Sequence, residues 1–297
     1  MITADRKVIV CAAGLKGANF VRGLVNHEIR LDRIYAYKQP DDHSDSFFSI
    51  KQLAETMQIE FRESRKPEFS SSDLIFIIGW QYMFATITPF SVVFHDSLLP
   101  KYRGFAPTVT ALLKGDTQIG VTALTPTPGV DEGPIIGQLA VQIAYPIKIK
   151  TALDLQSDLM ISLATQIHRQ WSEGFFTTCE QEHARATYSL WRNDADYLID
   201  WSKTASEIVR AIDALGYPYS GARTTANGET LIIESASEVD DLNFEIRQPG
   251  KIWTLDGGRP LVVCGSGLLR LEDCRTLNGA RYDFRRTRIK LGESQLK

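Results

Sequence analysis

Three short and almost uninterrupted apolar segments limit the folds that this chain can adopt. They cover residues 7–13, 73–80 and 91–95. Gly14 follows the first segment, Trp80 ends the second and His95 ends the third. Apolar runs of this length are typical of strands buried on both faces, as in parallel sheets covered by helices. A glycine turn at 14–17 and helical spacing of apolar residues over 18–29 predict a helix directly after the first strand. The pattern indicates the start of a doubly wound α/β domain.

The same pattern continues to the middle of the chain and then stops. Further strands and helices are predicted at 33–37, 50–57, 108–113, 118–124, 135–141 and 150–171. After Gly174 the next segment is polar and aromatic without a clear period. A helix follows over 205–215, and then short strands alternate with Gly, Asn and Asp turns, which favours a small antiparallel barrel or sandwich. We therefore predict three parts: a first domain over 1–174, a linker over 175–204 and a C-terminal domain over 205–297.

The composition favours a soluble globular protein, with 43% hydrophobic and 23% charged residues. No apolar run approaches the roughly 20 residues that a membrane span needs, and the first residues predict no signal peptide. A net charge of -3 argues against a polyanion as the main partner. Four scattered cysteines lack the spacing of a metal or redox site, which predicts buried thiols in a reducing cytoplasm: Cys11, Cys179, Cys264 and Cys274.

Residues 95–104 combine a His, a Ser and a Pro-Lys-Tyr-Arg-Gly turn at the end of a predicted strand. The carboxyl ends of strands in doubly wound domains face the ligand crevice, so His95 is a candidate catalytic residue rather than a surface His. Arg103 is either a ligand-facing cation or the end of the turn. Ser97 either contacts a ligand or hydrogen-bonds its own turn.

Two other segments hold candidate ligand contacts. Gly79 would let a ligand approach the backbone, and Trp80 offers a flat apolar wall, although a core aromatic fits that position equally well. The loop at 128–134 contains two glycines and the acidic pair Asp131-Glu132. By itself, an Asp in such a loop is more often a plain turn residue than a catalytic one.

Three motifs follow one another in the first half of the chain. They read H-x-S-L-L-P-x-Y-R-G at 95–104, G-V-T at 120–122 and G-V-D-x-G-x-I-I-x-Q at 129–138. In this order they resemble the formyltransferases that use 10-formyltetrahydrofolate, above all the methionyl-tRNA formyltransferases and the nucleotide-sugar N-formyltransferases. Residues 199–222 are similar to the linker and C-terminal domain of these proteins. The resemblance implies a Rossmann-like α/β catalytic domain followed by a small, mostly-β, barrel-like C-terminal domain.

The resemblance also implies 10-formyltetrahydrofolate as cosubstrate, no metal, and roles for individual residues. His95 would act as the catalytic base, with support from Asp131. The pocket for the cosubstrate would use Asp131 and the segment after the predicted strand at 73–80: Trp80, Gln81, Met83 and Phe84. We assign the acceptor to the turn after His95, because its basic side chains can meet phosphates. The residues of this assignment are Ser97, Lys101, Tyr102, Arg103 and Gly104.

One position departs from the family pattern. The family has a catalytic Asn two residues before the motif His, and this chain has Val93 there. Residues i and i+2 of a strand face the same side, so Val93 would occupy the place of an amide that holds the oxyanion. Loss of one such donor typically slows a reaction by about 10²–10³-fold. Three alternatives remain: protonated His95 holds the oxyanion alone, a backbone N–H or a water replaces the Asn, or the protein is slow or inactive.

Charge guides the choice of acceptor. The C-terminal domain has ten Arg and three Lys against seven Glu and six Asp, so it lacks the basic surface expected for gripping tRNA. A basic cluster near the end is local: Arg281, Arg285, Arg286, Arg288 and Lys290. The hypothesis is therefore N-formylation of a nucleotide-linked amino sugar, with nucleic acid disfavoured as a partner. The alternatives are a methionyl-tRNA formyltransferase and a catalytically impaired folate- or nucleotide-binding paralogue. The resemblance to the sugar enzymes also implies a homodimer and products for the O-antigen of lipopolysaccharide.

Overall fold

The computed structural model of the protein describes residues 6–39, 45–82, 84, 87–175 and 177–293. By their contacts these residues form two compact units. The first unit comprises the described parts of Met1–Thr108, Gln118–Gln142 and Ala152–Leu190, and the second those of Val109–Thr117, Ile143–Thr151 and Trp191–Lys297. Residues 177–190, part of the predicted linker, belong to the first unit. The predicted boundaries after residues 174 and 204 stay a prediction.

The first part of the chain alternates strands and helices. Its strands are β1 (Val8–Ala12), β2 (Arg33–Ala36), β3 (Glu60–Glu63), β4 (Leu74–Ile78), β5 (Ser91–His95), β6 (Arg103–Gly104), β7 (Gln118–Leu124), β8 (Ile135–Gln142) and β9 (Tyr188–Ser189). Its helices are α1 (Gly14–Asn26), α2 (Ser46–Thr56), α3 (Pro107–Lys114) and α4 (Ile149–Ser172). No helix within the described ranges is long and apolar enough to cross a membrane.

Seven of these strands form one mixed sheet in the order β3-β2-β1-β4-β5-β7-β8. The first five are parallel, and β7 and β8 run antiparallel to their neighbours. The chain builds outward from β1 in one direction through β2 and β3, and in the other through β4 and β5. The carboxyl ends of β1 and β4 therefore form the switch point at which doubly wound folds bind ligands. A separate parallel pair joins β6 to β9.

The apolar segments predicted as strands form the centre of this sheet. All residues of β1 and β4 are buried, as expected for strands covered on both faces. The predicted doubly wound α/β fold is confirmed. Sequence reasoning missed β3, because its charged sequence EFRE lies at an edge of the sheet, where no apolar periodicity is required.

Alternate residues of the strands build two apolar clusters, one on each face of the sheet. In the first cluster, Phe20 of α1 packs against Phe76 of β4 and Phe94 of β5, with ring centroids 5.9 and 4.9 Å from its own. The second cluster holds Ile9, Cys11, Tyr35, Ile75 and Ile77, with Phe69, Trp80, Phe84 and Val93 packed against it. Because His95 follows Val93 by two residues in β5, it shares the face of the second cluster.

The second unit contains a five-stranded antiparallel sheet. Its strands are β10 (Ala222–Ala226), β11 (Glu229–Val239), β12 (Ile252–Asp256), β13 (Arg259–Val263) and β14 (Leu268–Thr276), and they lie in the order β10-β11-β14-β13-β12. Thr204 and Glu207 form a capping box that starts the helix α5 (Ala205–Leu215). The turn between β10 and β11 is Asn227-Gly228, and both residues have the positive φ that such hairpin turns require. The predicted small, mostly-β C-terminal domain is confirmed.

Replacement of Phe20 by Ala tests the first cluster. The side chain is fully buried between two other rings, so Phe20→Ala should lower the free energy of unfolding by about 3–5 kcal/mol. Urea unfolding followed by circular dichroism measures the change. Phe48→Ala is the matched control, because Phe48 is 56% exposed and its loss should cost about 0.5 kcal/mol or less. Equal losses in the two variants would contradict this account of the core.

Candidate active site

His95 ends strand β5 and is almost completely buried. Its Nε2 lies 2.8 Å from the carbonyl oxygen of Tyr102. A carbonyl can only accept, so we assign the proton of the neutral ring to Nε2 and the lone pair to Nδ1. The backbone thereby fixes the ring, and Nδ1 is the atom left for proton transfer.

Asp131 lies opposite this lone pair. Its Oδ2 is 3.5 Å from His95 Nδ1 and accepts a hydrogen bond of 2.8 Å from the backbone N–H of Gly104. The φ of Asp131 is 52°, a left-handed conformation that costs energy for a residue other than Gly. The structure thus brings together the two residues predicted to be catalytic, while their catalytic role stays a prediction.

The turn after His95 is held in place by residues of the two other sequence motifs. Thr122 donates to the carbonyl oxygen of Ser97 at 2.7 Å and accepts from the N–H of Leu99 at 3.1 Å. Gln138 donates to the carbonyl oxygen of Leu99 and to Thr122 Oγ1, both at 2.8 Å. These motif residues therefore fix the turn against β7 and β8.

The five residues assigned to the acceptor differ in how far their side chains reach the surface. Ser97 is buried and donates to the carbonyl oxygen of Lys101 at 2.6 Å, so the structure shows the bond to its own turn. Tyr102 is buried, and Arg103 is only 2% exposed. Gly104 has no side chain. Lys101 is the member of this set with an exposed side chain, and contact of the set with a substrate stays a prediction.

Arg103 is neither an exposed cation nor simply the end of a turn. Its Nε and Nη2 donate to Gln181 Oε1 at 3.2 and 2.7 Å, and Nη2 lies 3.1 Å from His183 Nδ1. Gln181 Nε2 in turn donates to the carbonyl oxygens of Asp131 and Gly133, both at 2.8 Å. Sequence reasoning missed Gln181, which lies far along the chain from these partners in a segment without a motif.

Asp96, the neighbour of His95, holds a buried ion pair that sequence reasoning also missed. Its Oδ1 is 2.9 Å from Lys16 Nζ, and its Oδ2 accepts from Thr108 Oγ1 at 2.8 Å. Burial alone would raise the pKa of Asp96, but the charges of Lys16 and His95 and the hydrogen bonds to the carboxylate lower this pKa to about 2. The pair connects the start of α1 to the end of β5.

Trp80 and Phe84 form a stacked pair, with ring centroids 5.7 Å apart and planes inclined by 24°. Tyr37 meets Trp80 edge-on at 4.9 Å, and its hydroxyl accepts from the backbone N–H of Gln81 at 3.3 Å. We call Tyr37, Trp80 and Phe84 the aromatic wall. The indole Nε1 of Trp80 is buried and has no hydrogen-bond acceptor among the described residues. Of the other predicted pocket residues, Gln81 is exposed and Met83 lies outside the described residues.

The structure gives a packing reason for Gly79. Its φ is 62°, and a Cβ added at this position would lie 2.2 Å from the carbonyl oxygen of Ala13. Gly79 is thus required where the ends of β1 and β4 approach each other, whether or not a ligand is bound.

The fold and the site together define a class of protein. It is a Rossmann-like α/β protein with a His–Asp pair at the end of a central strand, which suits acid–base chemistry on a bound substrate. In the part of the chain that the structure describes, no group of three or more His, Cys, Asp or Glu is arranged to hold a metal ion.

Family models match both parts of the chain. The model "Formyl transferase" matches residues 81–156, and the model "Formyl transferase, C-terminal domain" matches residues 193–287. The methionyl-tRNA formyltransferase of Methylobacillus flagellatus is 34% identical over 191 residues, which are 63% of this chain and 59% of that protein. The match thus spans less than two thirds of the relative. The chain belongs to the formyl transferase family, as its motifs predicted.

Two solved structures share the fold over nearly the whole chain. An N-formyltransferase from Helicobacter canadensis has a TM-score of 0.67 at 16% identity, covering 93% of this chain and 100% of that one. WlaRD, a sugar 3N-formyl transferase, has a TM-score of 0.66 at 16% identity, covering 95% of this chain and 98% of that one. At this identity the likeness establishes a common fold.

Asp96 should make the stability of the protein depend on pH. The pKa of Asp96 falls from 3.8 to about 2 on folding. Its contribution of about 2 kcal/mol to the free energy of unfolding is therefore complete well above the unfolded pKa, and it is lost as the pH falls toward the folded pKa. Asp96→Asn should therefore be less stable than the wild type at neutral pH, and the gap should narrow by about 1 kcal/mol near pH 3.

Urea unfolding at a series of pH values measures this gap. Asp158→Asn, which alters an exposed carboxylate on α4, is the control and should keep a constant difference from the wild type. A gap for Asp96→Asn that stays constant down to pH 3 would show that Lys16 does not hold the carboxylate ionised.

Proposed function

We propose that the protein transfers a formyl group from 10-formyltetrahydrofolate to the amine of an acceptor. The observation that carries the proposal is the setting of His95. The backbone holds its Nε2, and the Asp131 carboxylate lies 3.5 Å from its Nδ1. An imidazole fixed in this way can take a proton at Nδ1 and give it up again within one reaction.

The roles of the chain's own residues follow from this geometry. When bound, the cosubstrate supplies the formyl carbon that a neutral amine attacks. Nδ1 of His95 receives the amine's proton as the new C–N bond forms, and Asp131 stabilises the imidazolium. His95 then delivers the same proton to the departing nitrogen as the old C–N bond breaks. Protons balance, and the ring returns to its starting tautomer.

The aromatic wall fits the flat heterocycle of a folate. Stacked apolar rings suit its faces, and the unpaired indole N–H of Trp80 can donate to one of its acceptors. The Helicobacter canadensis structure is a complex with folinic acid, and the WlaRD structure contains 5-N-formyl-THF. These complexes support a folate as the cosubstrate of this chain.

For the acceptor we favour an amino sugar linked to a nucleotide. The C-terminal domain has equal numbers of basic and acidic residues, and Lys101 is an exposed cation next to the site. The Helicobacter canadensis complex also contains dTDP-3-aminofucose, and the WlaRD structure dTDP, which supports this substrate class. The homodimer and the link to O-antigen stay predictions from the resemblance, and the cytoplasmic location stays a prediction from the sequence.

Methionyl-tRNA is the second candidate acceptor. The similarity to methionyl-tRNA formyltransferase favours it. In the second unit, Arg285, Arg286 and Arg288 are exposed and suited to phosphate contacts.

A panel of acceptors separates the candidates. We expect release of tetrahydrofolate with an amino sugar linked to dTDP, UDP or GDP, and weak tRNA binding with a shallow salt dependence. Tight binding of methionyl-tRNA with a steep salt slope would establish the second candidate instead. Folate binding without turnover of any acceptor would identify a catalytically impaired paralogue.

Val93→Asn tests the position that departs from the family pattern. Val93 is partly buried on the face that it shares with His95, so an amide placed there can face the reacting groups. If the missing donor limits the reaction, Val93→Asn should raise kcat by up to about 10²-fold. Steady-state kinetics with the best acceptor of the panel measures the effect.

Two further variants serve as controls for Val93→Asn. Val93→Leu matches Asn in size but cannot donate, so it should not raise kcat. His95→Asn should abolish turnover while circular dichroism shows an intact fold, which sets the baseline. If Val93→Asn and Val93→Leu lose activity equally, another donor already holds the oxyanion.

A further inference from the structure

We propose that Arg103 and Gln181 are positioning residues that hold Asp131 beside His95. The inference rests on the proposed function, because it concerns how the candidate catalytic pair is kept in place. Both side chains are buried, with 2% of Arg103 and 5% of Gln181 exposed. They therefore act through their protein partners rather than through contact with an acceptor.

The buried guanidinium of Arg103 has neutral partners. Its Nε and Nη2 donate to Gln181 Oε1, and Nη2 also donates to the lone pair of His183 Nδ1. Among the described residues, the structure shows no ion pair between Arg103 and a carboxylate. Burial of a charge without an ion partner lowers stability, so the arrangement calls for a role beyond folding.

The amide of Gln181 can adopt only one of its two orientations. Its Oε1 faces two N–H groups of Arg103, and its Nε2 faces the carbonyl oxygens of Asp131 and Gly133, each at 2.8 Å. A flipped amide would set donors against donors and acceptors against acceptors. Arg103 therefore fixes the amide, and the amide fixes the carbonyl groups of the loop.

The consequence falls on the Asp131 carboxylate. A residue with a φ of 52° keeps this conformation only where its neighbours hold it, and Gln181 holds the carbonyl oxygens of Asp131 itself and of Gly133. In this conformation the carboxylate reaches the N–H of Gly104 and faces His95 Nδ1. Loss of the Gln181 amide should therefore release Asp131 from His95.

The segment that carries Gln181 is itself anchored. Cys179 exchanges two hydrogen bonds of 2.8 Å with Ile135. Further along, the N–H of Arg103 donates to the carbonyl oxygen of Thr187 at 2.8 Å, as β9 pairs with β6. Loss of the Gln181 amide should therefore displace the Asp131 loop while the backbone around Gln181 stays anchored.

Kinetics of matched variants test the inference. Gln181→Met keeps the approximate length of the side chain and Arg103→Met shortens it, and both variants remove the hydrogen bonds. Each should lower kcat by about 10–100-fold, with KM for both substrates within about threefold of the wild type. The double variant should be no slower than the slower single variant, because both residues act through the same amide. Gln181→Glu, which turns an oxygen toward two carbonyl groups, should lose as much as Gln181→Met.

Several kinetic results would contradict the positioning role of Arg103 and Gln181. Losses that multiply in the double variant, or a lower melting temperature with kcat per folded molecule unchanged, would overturn the inference. A higher KM for the acceptor at constant kcat would also overturn it, because Arg103 would then contact the acceptor. Arg185→Met is the control expected to keep kcat, since Arg185 is an exposed arginine of the same segment.

A spectroscopic measurement separates this inference from the proposed function. In protein labelled with 15N-histidine, the Nδ1 resonance of His95 can be assigned by its loss in His95→Asn. It should shift in both Gln181→Met and Arg103→Met, because Asp131 moves away from Nδ1. A shift without turnover of any acceptor would uphold the positioning role and reject the proposed reaction. An unchanged resonance in both variants would overturn the positioning role.

Discussion

The hydrogen bond from the N–H of Gly104 to Asp131 Oδ2 joins the two loops that carry the candidate catalytic pair. One loop follows β5 and supplies the carbonyl of Tyr102 that fixes His95, and the other follows β7 and supplies Asp131. The carboxylate is anchored by a main-chain group, so backbone positions rather than a flexible side chain set its distance from His95 Nδ1. A charge-assisted bond of this kind is stronger than one between neutral groups. Thr122 and Gln138 hold the first loop, and Gln181 holds the second.

His95 and Asp96, at the end of β5, have side chains on different sides of the sheet and make different contacts. His95 faces the side of the sheet that bears the aromatic wall, and Asp96 pairs with Lys16 at the start of α1. Side chains of a strand alternate between faces, so a strand end can serve a site and a helix contact at once. The Lys16–Asp96 pair keeps a charge ionised in a buried place, and it fixes the residue next to the imidazole. The position of His95 is thus set by its own hydrogen bond and by its neighbour's ion pair.

Sequence patterns predicted the parts in which burial dictates the residue type. β1 and β4 are apolar throughout because both faces are covered, and this made them recognisable. The motifs placed His95 and Asp131 together before any distance was known. The roles of Gln181 and Lys16 were not predicted, because a single polar residue produces no periodic sequence pattern. Its partner is determined by the tertiary fold. The motif singled out Arg103 as a candidate residue but did not predict where its side chain points, because spacing along a turn does not determine side-chain direction.

Val93 shows that the fold and the proposed chemistry place separate demands on one strand. Its neighbours on the sheet are apolar, so the fold has no need of an amide there. Near His95, the Nε2–H is committed to the carbonyl of Tyr102, and the N–H of Gly104 to Asp131. In the proposed reaction, a donor that becomes available is the Nδ1–H that His95 gains when it takes the proton of the amine. That donor exists only after proton transfer, so charge on the formyl oxygen and charge on the imidazole must develop together. In the proposed reaction Asp131 then stabilises the oxyanion indirectly, through the imidazolium, which makes its fixed position more important in a chain that has Val93 in place of an Asn.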